Sequence, residues 1–146
     1  MVRILIKKFD KNINLPTYKT SGSSGMDLVA YTKKIIILRP GKTILVPTGI
    51  ALAIPKKYEI KIRPRSGLAI KNNISVLNTP GTIDSDYRGE IKVILINLSN
   101  KIFKIRSGDR IAQMILSPVV KGKFVQVKSL PKTIRGKKGF GSTGKK

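Results

Sequence analysis

No window of this 146-residue chain sustains a helical 3.6-residue period, and that absence constrains the fold more than any other feature. Apolar residues come instead in short runs bounded by Gly, Pro or Asn, which is the pattern of strands. Strands are expected over residues 2–7, 27–31, 35–38, 43–54, 58–63, 74–77, 90–97, 101–105, 110–118 and 123–128. Residues 58–63 alternate strictly, with Ile60 and Ile62 on one face and Glu59, Lys61 and Arg63 on the other. Pro47 interrupts its run and marks a bend, an edge or a bulge. Only residues 66–71 suit a helix, of one or two turns. Many short strands with regular punctuation point to an all-β sandwich, jelly roll or small barrel.

The chain divides into a β domain over residues 1–134 and a tail over 135–146, where the composition turns to Gly, Lys, Ser and Thr around a single Phe140. Such a tail cannot bury itself, and is expected either to stay mobile or to order over a ligand.

Missing residue types exclude several chemistries. With no His and no Cys, neither a Ser-His-Asp nor a Cys-His nucleophile can be assembled, and the usual ligands of structural zinc are lacking. Disulfides are impossible. The apolar runs are far shorter than the ~20 residues of a membrane span, and the N-terminal apolar stretch is too short for a signal-peptide core. A cytoplasmic, soluble protein is the expectation.

The formal net charge is +23. Of the 30 basic residues 22 are Lys, scattered in ones and twos, and Ile also occurs 22 times. Most of these lysines read as solvated surface within a general bias toward Lys, Ile and Asn, with a weak, non-specific attraction to nucleic acid as the remaining implication. The acids are scarce, and five of the seven (Asp27, Asp84, Asp86, Glu90 and Asp109) lie in Gly-rich or turn-like neighbourhoods.

Five segments carry candidate chemistry. In Ser21-Gly22-Ser23-Ser24-Gly25-Met26-Asp27-Leu28, Asp27 stands where a strand begins, placed either to help hold a hydrated divalent cation or to close a turn. In Arg63-Pro64-Arg65-Ser66-Gly67-Leu68-Ala69, Ser66 occupies an apparent N-cap position, and a helix start beside an Arg suits an anion as well as it suits ordinary capping. The third runs from Asn78 to Glu90. On an extended segment Asp84 and Asp86 point to opposite faces, so that one can face a pocket while the other meets Arg88 or solvent. Without His, a carboxylate is the natural general base for water, and Tyr87 offers a flat wall for a ring or sugar. In the fourth, strict alternation puts Ile111, Gln113 and Ile115 on one face and Arg110, Ala112 and Met114 on the other. The fifth, residues 135–144, combines glycines, hydroxyls, Arg135 and Phe140 as a phosphate-and-base clamp.

In this order the five segments resemble the five motifs of the trimeric dUTPases, over residues 15–144. Pro64-Arg65-Ser66-Gly67, Ile83-Asp84-Ser85-Asp86-Tyr87-Arg88-Gly89, Gly108-Asp109-Arg110-Ile111-Ala112-Gln113 and Gly139-Phe140-Gly141-Ser142-Thr143-Gly144 carry the likeness. The resemblance implies a distorted jelly-roll (β-clip) subunit with at most one short helix, in a homotrimer with shared active sites. It also implies hydrolysis of dUTP to dUMP and pyrophosphate with Mg²⁺ on the triphosphate. Asp84 would then activate the attacking water and contact the deoxyribose 3′-hydroxyl, with Gln113 at a phosphate- or water-contacting position. Asn78 and Gly81 would read uracil, Tyr87 would pack on deoxyribose, and Phe140 would close over the base. Arg65, Ser66, Gly67, Arg135, Ser142 and Thr143 would contact phosphates, and Asp27 the metal's water shell. Arg110 is expected to brace Asp109 or a neighbouring subunit rather than to touch substrate.

Lys138 departs from the family, which usually has Gly there. If that position needs a positive φ, Lys costs on the order of 1 kcal/mol or more when the tail closes. Two rivals follow from other features. A dCTP deaminase shares the fold, but the stretch from Ile83 to Tyr87 and the Gly-rich end favour the dUTPase. A nucleic-acid-binding β domain follows from charge alone, yet four Phe and four Tyr with no pairing at strand spacing make a poor stacking platform. Three copies at +23 give a formal +69, so assembly of a trimer is expected to strengthen with salt.

Overall fold

The structure, a computed structural model, describes residues 1–139. Its strands are β1 (Leu5–Lys8), β2 (Met26–Val29), β3 (Ile36–Leu38), β4 (Thr43–Pro47), β5 (Ile50–Ala53) and β6 (Tyr58–Arg63). A single short helix α1 (Ser66–Asn72) precedes β7 (Ile74–Val76), β8 (Gly81–Ile83), β9 (Lys92–Asn97), β10 (Phe103–Ile105) and β11 (Arg110–Pro118). All pairings are antiparallel. A four-stranded sheet runs β2-β11-β6-β8, a three-stranded one β4-β9-β7, and the pairs β1-β5 and β10-β3 close the flanks. This is an all-β jelly roll. Among the described residues no helix is long and apolar enough to cross a membrane.

Alternation explains the layering. In β6, Ile60 and Ile62 are buried while Arg63 is exposed, and on β11 Met114 lies opposite Ile62 on the same inner face. From the other sheet come Val46, Val93, Leu95, Ile74 and Val76, all buried in one continuous apolar cluster. Each such side chain contributes roughly 1.5–3 kcal/mol by leaving water. The one deeply buried amide, Asn97, is fully used: its Nδ2 donates to the Leu38 and Lys101 carbonyls, and its Oδ1 accepts from Ser99.

The expected strand over 43–54 is broken in two. Pro47 ends β4, and Gly49 takes a φ of +68° in a spot where a Cβ would run into Ile13 and the Tyr31 ring. Thr48 Oγ1 donates to the Ile91 carbonyl at 2.6 Å, and Gly49 N–H to Glu90 Oε1 at 2.9 Å. The chain therefore turns a corner, leaving β9 to pair with β1. The expected strand over 123–128 does not form. Residues 119–139 hold no strand or helix, and Val120, Phe124, Leu130 and Ile134 are almost wholly exposed. The segment pairs with no sheet edge of this copy. Strand β8, by contrast, was not expected: three residues starting at Gly leave no readable pattern.

Candidate active site

The outer face of the four-stranded sheet carries a polar row. Gln113 on β11 lies opposite Asp27 on β2 and opposite Arg63 on β6. Asp27 is the centre of the row: its Oδ1 accepts from Arg65 Nε at 2.8 Å, and its Oδ2 forms an ion pair with Arg110 Nη1 at 3.4 Å. The Asp27 side chain is only 10% exposed. A bulge in β11 makes this arrangement possible. The register shifts between Arg110 and Ala112, so Arg110 lies opposite Val29 and Ala112 opposite Leu28. Ile111 and Ala112 are both buried, and Arg110 comes to the same outer face as Gln113. Strict alternation fails here, and of the two partners expected for Arg110, Asp109 is replaced: Arg110 meets Asp27, while Asp109 Oδ2 accepts from Arg106 N–H at 2.8 Å within its own turn.

Arg65, not Ser66, is the N-cap residue of α1, and it makes no side-chain capping bond. Ser66 and Gly67 occupy the exposed first turn, where helix amides lack intrahelical partners. A cavity of about 310 Å³ lined by Lys19, Ser23, Asp27, Arg63 and Gln113 opens beside the row. A second, of about 420 Å³, is bordered by Arg65, Lys104, Asp109 and Arg110. A third, of about 510 Å³, is lined by the 12–17 loop and also by Asp27 and Arg110.

Asn78, Gly81, Asp84 and Tyr87 form a separate group around β8. Gly81 is buried opposite Ile62, and a Cβ on it would lie 3.2 Å from Asn78 Nδ2. The amide of Asn78 is thus folded over the Gly81 backbone. Residues 84–87 form a turn rather than an extended segment, with Tyr87 N–H donating to the Asp84 carbonyl at 3.2 Å. The opposite-face argument for Asp84 and Asp86 therefore lapses, and both are exposed. Arg88 pairs with neither: its Nη1 donates to the Ser85 and Tyr87 carbonyls at 2.7 and 2.8 Å, closing the turn. Tyr87 OH donates to the Glu90 carbonyl at 3.0 Å.

The two groups do not meet within one copy. Gln113 shares a row with Arg63, whereas Ile83 shares one with Ile60. Asp84 follows Ile83, so it stands about four residues along and two strands across from Gln113, a separation of roughly 15 Å. Arg135 stands in a turn where its Nε donates to the Lys138 carbonyl at 3.0 Å and Gly136 has a φ of +53°. Lys138 is not among the positive-φ residues; the strain expected of it concerns closure of the tail over a ligand. Phe140, Ser142 and Thr143 lie outside the described residues. Sequence reasoning missed Arg110 as a member of the row and Gly89 as the space for Tyr87. Two consecutive apolar residues, Ile111 and Ala112, ahead of Gln113 were the available sign of the bulge.

Comparison with known proteins bears on this arrangement. The dUTPase family model matches residues 11–144. The deoxyuridine 5′-triphosphate nucleotidohydrolase of a Hydrogenobaculum species is 54% identical over 99% of this chain and 100% of its own length. That of Brucella melitensis is 56% identical over 92% of this chain and 87% of its own. Among solved structures, a mutant dUTPase of Staphylococcus bacteriophage 80alpha, determined with dUpNHpp, superposes with a TM-score of 0.85 at 24% identity, covering 97% of this chain and 98% of that one. With a family match spanning nearly its whole length, the chain belongs to the dUTPase family and is a hydrolase of dUTP.

Proposed function

We propose that the chain converts dUTP to dUMP and pyrophosphate by in-line attack of a water on the α-phosphorus, in a site shared between the subunits of a homotrimer. The observation that carries this reading is the roughly 15 Å between Asp84 and Gln113, which divides the candidate residues into a phosphate half and a nucleoside half. A phosphate row from one copy facing a β8 hairpin from another joins the halves. The exposed apolar side chains of residues 119–139 supply a further reason for several copies, since they gain by being covered.

In the nucleoside half, the Asn78 amide and the β8 backbone at Gly81 read the uracil edge, and the Tyr87 ring packs on deoxyribose and leaves no room for a 2′-hydroxyl. Asp84 accepts the proton of the attacking water and a hydrogen bond from the 3′-hydroxyl. The water oxygen bonds to the α-phosphorus as the bridging oxygen to the β-phosphorus leaves with pyrophosphate. In the phosphate half, Arg65, the amides and hydroxyl of Ser66 and Gly67, and Gln113 hold the phosphate oxygens and orient the water. Arg135, Ser142 and Thr143 complete the phosphate contacts, and Phe140 covers the uracil as the tail closes and excludes other water.

No group of three or more His, Cys, Asp or Glu side chains is gathered among the described residues, and both Asp27 oxygens already face arginines. The donor set fits Mg²⁺ carried in on the triphosphate, hydrated and met by Asp27 through a water, rather than an all-protein cage. Bound there, Mg²⁺ supplies charge neutralisation of the phosphates. We assign the enzyme to the cytoplasm, where it keeps uracil out of DNA and supplies dUMP for thymidylate synthesis. Its +23 charge adds a weak attraction to nucleic acid and makes trimer assembly strengthen with salt.

Pyrophosphate release with Mg²⁺, measured on dUTP, dTTP, dCTP and UTP, tests the reading. Release from dUTP alone, lowered at least about 1,000-fold in Asp84→Asn, is expected. Release that survives Asp84→Asn would remove the assigned base, and ammonia release from dCTP would replace the reaction.

A further inference from the structure

Taken as a pair, Asp27 and Arg65 carry no net charge. The carboxylate, 10% exposed, sits 2.8 Å from Arg65 Nε and cancels the guanidinium at the point where a polyanion needs it. A neutral pair gives a triphosphate no long-range attraction. Arg110 changes that sum: its Nη1 lies 3.4 Å from the other carboxylate oxygen, and two guanidinium groups around one carboxylate leave a net +1. Its side chain is 54% exposed, so most of its donors are turned to solvent, and it borders the 420 Å³ cavity together with Arg65. The bulge brings it there, at the cost of regular pairing in β11. Among the described residues no other carboxylate pairs with it, and Asp109 accepts from the Arg106 amide instead.

We propose that Arg110 is a positioning residue for the phosphate chain. It keeps the Asp27–Arg65 pair cationic, so Arg65 can offer its terminal amines to a polyphosphate while its Nε remains bound to Asp27. Arg110 acts through Asp27 and need not touch the scissile phosphate. The proposal rests on the reading above that this face of the sheet receives the phosphates.

The test is binding of inorganic pyrophosphate, followed by calorimetry on the full chain in metal-free buffer at low salt. Four proteins set the charge of the cluster: wild type at +1, Arg110→Gln at zero, Arg110→Lys at +1, and Arg110→Gln combined with Asp27→Asn again at +1. Loss of one cation beside a multiply charged anion is expected to weaken binding about tenfold in Arg110→Gln. Arg110→Lys and the double variant are expected to bind within about threefold of wild type. A purely structural role for Arg110 would leave the double variant at least as weak as the single one, and that result overturns the proposal. So does Arg110→Gln binding like wild type, or a wild type that binds no pyrophosphate. Hydrolysis of dUTP is scored separately: the expected binding pattern in a wild type that leaves dUTP intact supports the role of Arg110 and overturns the reaction assigned above.

Discussion

Gly89 is the space in which the Tyr87 side chain lies. A Cβ at position 89 would collide with the Tyr87 ring and hydroxyl, and that hydroxyl is held by the Glu90 carbonyl at 3.0 Å. The ring is thus fixed by a missing side chain on one side and a backbone acceptor on the other, at the end of the turn that begins with Asp84.

Gly89→Ala is therefore expected to displace the ring without unfolding an exposed turn. A displacement near 1 Å at a substrate-contacting group costs on the order of 100-fold in rate. We expect kcat/KM for dUTP to fall by about that factor and the discrimination against UTP to shrink, with the melting temperature nearly unchanged. Steady-state kinetics on both nucleotides check this. Unaltered discrimination would show that Tyr87 does not sense the 2′ position.

A second expectation concerns pH. The Asn12 N–H and then the Tyr31 hydroxyl hold the Asp10 carboxyl below its ordinary 3.8, and the same Asp10 contact raises Tyr31 above 10.0. A lowered carboxyl contributes stability that is present above its unfolded pKa and lost as pH falls through the folded one. A raised phenol contributes stability that is present below its unfolded pKa and lost as pH rises through the folded one. The melting-temperature gap between wild type and Tyr31→Phe should be widest between about pH 5 and 9 and close on both sides. A gap that does not vary with pH would mean that the contact is not formed.

Lys57 adopts a φ of +74° at the third position of a turn closed by Tyr58 N–H on the Pro55 carbonyl at 3.2 Å. A left-handed non-Gly residue costs roughly 1–2 kcal/mol, offset in part by the greater unfolded-state freedom of Gly. Lys57→Gly is expected to stabilise the chain by about 0.5–1 kcal/mol, a rise of a few degrees in melting temperature. Denaturant titration measures it. A loss of stability would show that Lys57 makes contacts worth more than its strain.

If Asp84 and Gln113 serve one site from two copies, inactive variants should rescue each other. Co-refolding Asp84→Asn with Gln113→Ala in equal amounts is expected to restore about a quarter of wild-type activity, the share of sites that draw both intact residues by chance. Activity no higher than that of either parent would place both residues in one copy.

Much of this architecture was legible because alternation is a local signal. Strands β6 and β11 begin and end where their patterns do, at Tyr58–Arg63 and Arg110–Pro118. The helix was read to within one residue. What escaped depended on distant partners. The 123–128 run is as rich in strand-forming residues as a real strand but pairs with no edge in its own copy. The 43–54 run hides a corner, set by Ile13 and Tyr31 crowding Gly49. The site residues announced their chemistry, yet not their company. That Asp27 sits between two arginines, and that Asp84 stands far from Gln113, follows from registers that no single segment records.

The bulge in β11 makes the number of residues between Gly108 and Gln113 as consequential as their identity. Deleting Ile111 would return the strand to even pairing with Arg110 still opposite Val29 and on the same face as Gln113 and Asp27, but it would take a buried side chain out of the core. The extra residue thus adds an apolar side chain to the interior while Arg110 and Gln113, three apart in the chain, still share one face.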